Sequence, residues 1–199
     1  MAQKYRTVLL FGRPGAGKGT IGKILGTIPG FYHFAMGDAF RNLDISTPLG
    51  KIFREYSGRG ELVPDDATIE FWRVIVEAKI AAHSYRPDSQ LLILDGIPRS
   101  VAQNELMQEY IDVLKGVHLV CTDEPALMER LQRRALTEGR FDDASEAVIR
   151  RRWDIYAEET RPIKDCYPKE IIQRVDAMNH PAHVMRDVLD CLIPFLDKR

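Results

Sequence analysis

The sequence predicts a three-layer α/β fold in which a central parallel sheet is flanked by helices. Short apolar runs recur along the chain: Thr7-Val-Leu-Leu-Phe11, Leu91-Leu-Ile-Leu94, Gly116-Val-His-Leu-Val120 and Ile171-Ile-Gln-Arg-Val175. Runs of this kind mark strands buried on both faces. Amphipathic helical patterns lie between them, and 199 residues suffice for one large core but not for two ordinary domains with a linker.

Taken in order, the first run enters a glycine-rich stretch and a helix over 20–25. From about 30 to 64 the alternation lapses into turn residues with one short helical piece at 48–56. The next helix, 65–82, starts at Asp65 as its cap and repeats Ile69, Trp72, Ile75 and Val76 at helical spacing. After the run at 91–94 the patterns give helices at 101–111, 125–136, 143–159 and 181–196, with strands at 116–120 and 171–175 between them. An arginine-rich stretch, 130–152, is the second departure. No repeat, low-complexity tract or linker is present, so both departures read as excursions from one core.

Composition excludes several classes. Lys and Arg total 28 against 29 Asp and Glu, a net charge of -1, which leaves no global footprint for nucleic acid or an anionic membrane. Any anion site must be local. Cys121, Cys166 and Cys191 are odd in number, widely spaced and without a C-x-x-C pair, against both a disulfide framework and a cysteine zinc site. The apolar stretches fall short of the roughly 18 residues that span a bilayer. Lys4 and Arg6 precede only Val8 to Phe11 before the glycines begin, which is no signal peptide, so a cytoplasmic protein is expected.

The chemistry begins at Gly12-Arg-Pro-Gly-Ala-Gly-Lys-Gly-Thr20, directly after the first strand and opening a helix. Glycines there let backbone N–H groups face phosphate oxygens, a lysine supplies compact positive charge, and the helix N-terminus adds its dipole. The strict G-x-x-x-x-G-K-[ST] pattern holds through Lys18, with Gly19 in the hydroxyl slot and Thr20 next. The alternative is a strand–helix turn without ligand. Asp95 ends its strand, where a carboxylate can hold water around Mg²⁺ opposite the loop or merely cap the Gly96-Ile97-Pro98 turn.

Four further motifs follow in order: Gly37-Asp38-Ala39-Phe40-Arg41, Gly60-Glu61-Leu62-Val63-Pro64-Asp65, Asp95-Gly96-Ile97-Pro98-Arg99 with Gln103, and Gly139-Arg140-Phe141-Asp142-Asp143. Together with the loop they resemble the nucleoside monophosphate kinases, and adenylate kinases in particular, over about Tyr5 to Leu196. That family uses the Gly-Lys-Gly-Thr form of the loop.

The resemblance implies a P-loop NTPase-type kinase domain over 1–199, with core 1–35, 65–133 and 153–199, an acceptor-binding excursion at about 36–64 and a short lid at about 134–142. It implies that Gly15, Ala16, Gly17, Lys18, Gly19 and Thr20 hold the ATP phosphates and that Arg130 lies against the donor adenine. Arg41 and Arg99 would grip the acceptor monophosphate, Gly96 would adjoin it, Leu62 and Val63 would line the base pocket, and Gln103 would bond the base.

Arg134 and Arg140 would close on the transferring group. Spacing from Arg140 selects Arg151 as a further site arginine, whereas alignment backward from Thr160 and Pro162 selects Arg152, and both stand as candidates. Independently of the resemblance, phosphoryl transfer needs positioning and cations more than acid–base groups, and a planar guanidinium grips phosphate bidentately. Arg133, Arg150 and one of Arg151 and Arg152 read instead as solvated helix surface.

Met36 stands where AMP-specific members carry threonine, so it presents apolar surface in place of a hydroxyl. Gln103 favours AMP, while pyrimidine-specific relatives carry asparagine there. The resemblance therefore implies Mg²⁺-dependent transfer from ATP to AMP as preferred acceptor, with weakened base discrimination; the charge balance gives no nucleic-acid or membrane partner, and a monomer is the default. A UMP/CMP kinase, a kinase of small metabolites and a nucleotide sensor with little turnover are the rivals. Only Ala135-Leu-Thr-Glu-Gly139 separates Arg134 from Arg140, the short-lid form, which implies no structural zinc. The five histidines form no ligand set, and Trp72 and Trp153 sit at packing positions.

Overall fold

The computed structural model describes residues 4–140, 143 and 145–196. Phe141 and Asp142 of the expected lid, Ala144 of the expected helix after it, and the extreme ends of the expected core lie outside the described residues.

A five-stranded parallel sheet has the order β2-β3-β1-β4-β5, with β1 (Tyr5–Phe11) in the middle, β2 (Phe31–Ala35) and β3 (Leu91–Asp95) to one side, and β4 (Ile111–Val120) and β5 (Ile172–Asp176) to the other. Because side chains alternate across a strand, β1 splits its apolar residues between two layers. Val8 and Leu10 join Ile93, Val117 and Leu119 beneath α1 (Lys18–Leu25), α6 (Glu124–Glu138), α7 (Glu146–Ile155) and α8 (Pro181–Leu192). Leu9 and Phe11 join Leu92 and Leu94 on the other face, against Trp72 and Val76 of α4 (Asp65–Ala81) and Met107 of α5 (Val101–Met107). Two short helices, α2 (Met36–Arg41) and α3 (Pro48–Gly58), fill the segment before α4.

Several expected boundaries are corrected. The segment from 30 onward does not leave the sheet at once, because Phe31–Ala35 pairs with β3 from Phe31↔Leu91 to Ala35↔Asp95. The polar Tyr32 and His33 hide that strand from a search for continuous apolar runs, yet Phe31 and Phe34 are buried. The helix expected over 101–111 ends at Met107, and β4 starts at Ile111, five residues before the expected strand. A register shift at Thr7/Val8 absorbs an irregularity in β4, which broke its sequence pattern.

The helix expected at 143–159 is α7 followed by a π turn over Tyr156–Thr160. That expected at 181–196 ends at Leu192 in one 3₁₀ turn. Finally, α6 continues through Glu138, so the first half of the expected lid is helix, with Leu136 projecting 88% exposed.

Trp72 and Trp153 are packing residues, both almost fully buried. His180 caps α8, its Nδ1 accepting from Ala182 N at 3.3 Å. No described helix is long and apolar enough to cross a membrane.

Candidate active site

The carboxyl ends of all five strands face one edge of the sheet, and outside them lies a cleft of about 850 Å³. Ligands sit at such an edge in open α/β sheets. The loop after β1 forms its floor. Gly17, the residue before α1, has φ +96 and no atom within 4 Å of a Cβ built there, so a left-handed backbone turns the first amides of α1 toward open space.

Lys18 folds back over this loop, its Nζ donating to Gly12 O at 2.5 Å and Arg13 O at 3.3 Å. Loss of hydration around the ammonium pushes its pKa down to about 8; the Asp95 charge opposes the shift, and Arg99, Arg152 and Arg134 add to it. Asp95 itself ends β3, with an oxygen 3.6 Å from the position of a Cβ on Gly19, so the carboxylate adjoins the loop backbone.

The arginines arrive from four elements and meet across the cleft. Arg41, on α2, donates to Asp38 Oδ1 at 2.5 Å, and Arg140 reaches the same oxygen at 3.4 Å from the far side. Burial works to raise the Asp38 carboxyl, but Arg41 and Arg140 outweigh it and hold it below the usual carboxylate range. Arg99 follows β3, its Nε donating to Gly96 O at 3.0 Å. Arg134, on α6, donates from Nε and Nη2 to Asp143 Oδ2 at 2.8 and 2.5 Å, while Arg152, on α7, bonds the other Asp143 oxygen. The Asp143 side chain is fully buried.

Every residue expected in the site lines this cleft except Arg151: the loop from Gly15 to Thr20, Met36, Arg41, Leu62, Val63, Asp95, Gly96, Arg99, Gln103, Arg130, Arg134, Arg140 and Arg152 all do. The two candidates at 151 and 152 are separated by helical geometry. Arg152 turns inward to Asp143, whereas Arg151 is exposed beside a smaller groove with Glu158 and Glu159. Arg133 is exposed on the helix surface, as expected, and also stands at the cleft rim, and Arg150 is exposed and paired with Glu146.

Met36 lines the cleft yet is 2% exposed, packed with Phe40, Val63 and Leu94. Gln103 is held at the first turn of α5, where its N–H donates to the capping Ser100 hydroxyl. Arg13, in the loop, lies 4.9 Å over the Trp153 ring and pairs with Glu124.

Some members of the cleft carry no motif of their own. Ala177, Asn179, Pro181 and Val184 wall the end near Arg130, whose Nη1 donates to Ala177 O at 3.4 Å. Asp38 and Asp143 lie inside motifs, but their part as counter-ions to two arginines each emerges only from the fold. Among the described residues no cluster of three or more His, Cys, Asp or Glu is placed to hold a metal ion.

Comparison with known proteins agrees with this geometry. The adenylate kinase family model matches residues 10–172. Adenylate kinase of Thermus thermophilus is 37% identical over 185 residues, covering 90% of this chain and 92% of the relative. That of Kocuria rhizophila is 36% identical over 191 residues, covering 93% and 97%, and that of Flavobacterium psychrophilum 35% over 166 residues, covering 80% and 83%. With its five-stranded parallel sheet, a phosphate loop after the central strand and arginines converging on one cleft, the chain belongs to the adenylate kinase family.

Proposed function

We propose that the protein transfers the γ-phosphoryl group of ATP to AMP, reversibly, giving two ADP. The observation that carries this reading is the convergence of the phosphate loop with Arg41, Arg99, Arg134, Arg140 and Arg152 on one cleft. The ATP phosphates lie on the backbone from Gly15 to Thr20, and Lys18 exchanges its carbonyl partners for phosphate oxygens. The donor adenine rests by Arg130 and Ala177, while the acceptor phosphate takes Arg41 and Arg99.

An acceptor phosphate oxygen then attacks the γ-phosphorus in line, forming one P–O bond as the bond to the bridging β,γ oxygen breaks and ADP departs. Arg134, Arg140 and Arg152 neutralise charge on the equatorial oxygens, and no protein acid or base has to act. Bound with ATP, Mg²⁺ supplies further charge neutralisation. Asp95 would hold it through water, a fit resting on its single hard carboxylate close against the loop backbone.

Segments 36–64 and 134–140 close over the substrates and exclude the water that would hydrolyse ATP. Asp38, shared by Arg41 and Arg140, ties the two together. Because one chain furnishes all the cleft walls, a monomer is competent, and three free cysteines suit a cytoplasmic setting. A second reading, with CMP or UMP as acceptor, draws on the buried Met36 in place of a hydroxyl.

The test is transfer from Mg²⁺-ATP to AMP, CMP, UMP, GMP and dTMP in parallel, with and without EDTA. The expected result is preference for AMP, loss of turnover in EDTA, and a fall of about 10²–10³ in kcat for Lys18→Ala with the fold retained. A pyrimidine preference installs the second reading. No transfer to any acceptor, or wild-type rates in Lys18→Ala, overturns the mechanism.

A further inference from the structure

A glutamine amide offers a donor and an acceptor at nearly equivalent positions, so a freely flipping glutamine bonds a 6-amino or a 6-oxo base equally well. Gln103 is not free to flip. The residue is 1% exposed, its Nε2 donates to Asp65 Oδ1 at 2.7 Å, and its Oε1 accepts from Arg99 N at 2.7 Å. A carboxylate can only accept and a backbone N–H can only donate. The reversed amide would set oxygen against oxygen at Asp65 and N–H against N–H at Arg99.

We infer that Asp65 is a positioning residue for base selectivity, locking the Gln103 amide in one orientation so that the acceptor pocket takes 6-amino purines and refuses 6-oxo purines. The inference rests on the proposed reading of Gln103 as the contact to the acceptor base. With one N–H given to Asp65 and one Oε1 lone pair to Arg99, Gln103 keeps a single donor and a single acceptor for the ligand. Those match a ring-nitrogen acceptor beside an amino donor, as in AMP. In IMP, which has nearly the same shape, the ring nitrogen carries hydrogen and the neighbour is a carbonyl, so both contacts are reversed. Leu62, Val63 and Met36 line the same cleft and keep the base from sliding to a compensating position.

Asp65 reaches Gln103 from the first residue of α4, 38 positions away in sequence, and directly follows the Leu62-Val63-Pro64 wall. The device thus lies where the acceptor excursion rejoins the core.

The experiment compares AMP with IMP as acceptors for wild type, Asp65→Asn and Asp65→Ser, scored as the ratio of their kcat/KM values. Asparagine and serine can each donate or accept, so either relaxes the Gln103 orientation while Arg99 N still biases it. The ratio is expected to fall about tenfold in both variants, through weaker AMP and stronger IMP, with the KM for ATP moving less than about threefold. General damage to the fold lowers both acceptors alike and leaves the ratio in place.

Binding of AMP and IMP to the wild-type protein, by calorimetry, is the independent measurement. Equal affinities overturn the inference whatever the variants do, as does a ratio unmoved in a folded variant. If wild type does not phosphorylate AMP, the underlying reading falls and this inference with it; AMP phosphorylation with an unmoved ratio overturns the inference alone.

Discussion

Replacing Asp143 by asparagine keeps the shape of the side chain but removes the charge that two guanidinium groups share. In the native structure one carboxylate oxygen takes both Nε and Nη2 of Arg134, at 2.8 and 2.5 Å, and the other takes Arg152. An asparagine must turn an N–H₂ group toward one of these donors. Hydrogen bonds to charged groups contribute about 1.5–3 kcal/mol each, so losing the charge toward two arginines is worth about 3–6 kcal/mol before relaxation. The side chains of Arg134 and Arg152 are 28% and 16% exposed, so both can swing into cleft water, which lowers the net cost to about 2–3 kcal/mol.

For a chain of this length that corresponds to a fall in Tm of about 4–12 °C. Both arginines also lose the anchor that aims them, and kcat is expected to drop about 10²-fold, with a smaller change in the KM for ATP. Scanning calorimetry and steady-state AMP phosphorylation measure the two effects. A Tm within about 1 °C of wild type together with a kcat within about twofold would refute the reasoning, since the buried carboxylate would then neither hold the fold nor orient the arginines.

The lowered pKa of Lys18, about 8 against an ordinary 10.5, predicts pH dependence with a definite sign. In the free protein the cost of burying the ammonium is fully present below about 8 and is relieved as pH rises toward 10.5. Phosphate oxygens restore the charged form, so ATP binding near pH 8.5 takes up protons and weakens as pH climbs. Calorimetry in buffers of different ionisation enthalpy measures this; equal uptake by Lys18→Ala assigns it elsewhere. Gly22→Ala drives a methyl into the His33 ring, in the contact between α1 and β2, and should lower stability by about 1–3 kcal/mol, read as a denaturation midpoint; an unchanged midpoint rejects that packing. Met36→Thr should raise the AMP-to-CMP preference, and an unchanged preference counts against Met36 as a wall of the acceptor pocket.

Much of this molecule is legible along the chain because its strongest signals are local. A strand buried on both faces requires a continuous apolar run, so Thr7–Phe11 and Leu91–Leu94 announce themselves. The loop from Gly12 to Thr20 acts through backbone conformation, which neighbouring residues dictate. Edge strand β2 is less legible, since Tyr32 and His33 make it look like an irregular loop until pairing with β3 stabilises it. The first residues of β4 are hidden by a register irregularity that only its partner strand reveals.

The sequence by itself determined strands β1 and β3 and the phosphate loop, because each is recorded within a short segment, and the resemblance to the nucleoside monophosphate kinases supplied the other site candidates. Only the tertiary structure put Arg152, and not Arg151, in the cleft: adjacent residues on a helix point about 100° apart, so the outcome depends on which face of α7 meets the cleft. Only the tertiary structure, too, set Asp143 against Arg134 and Arg152, Asp38 between Arg41 and Arg140, and Asp65 against Gln103. These pairings join side chains from different elements, and a sequence records which groups exist but not which of them the packed helices bring within hydrogen-bonding distance.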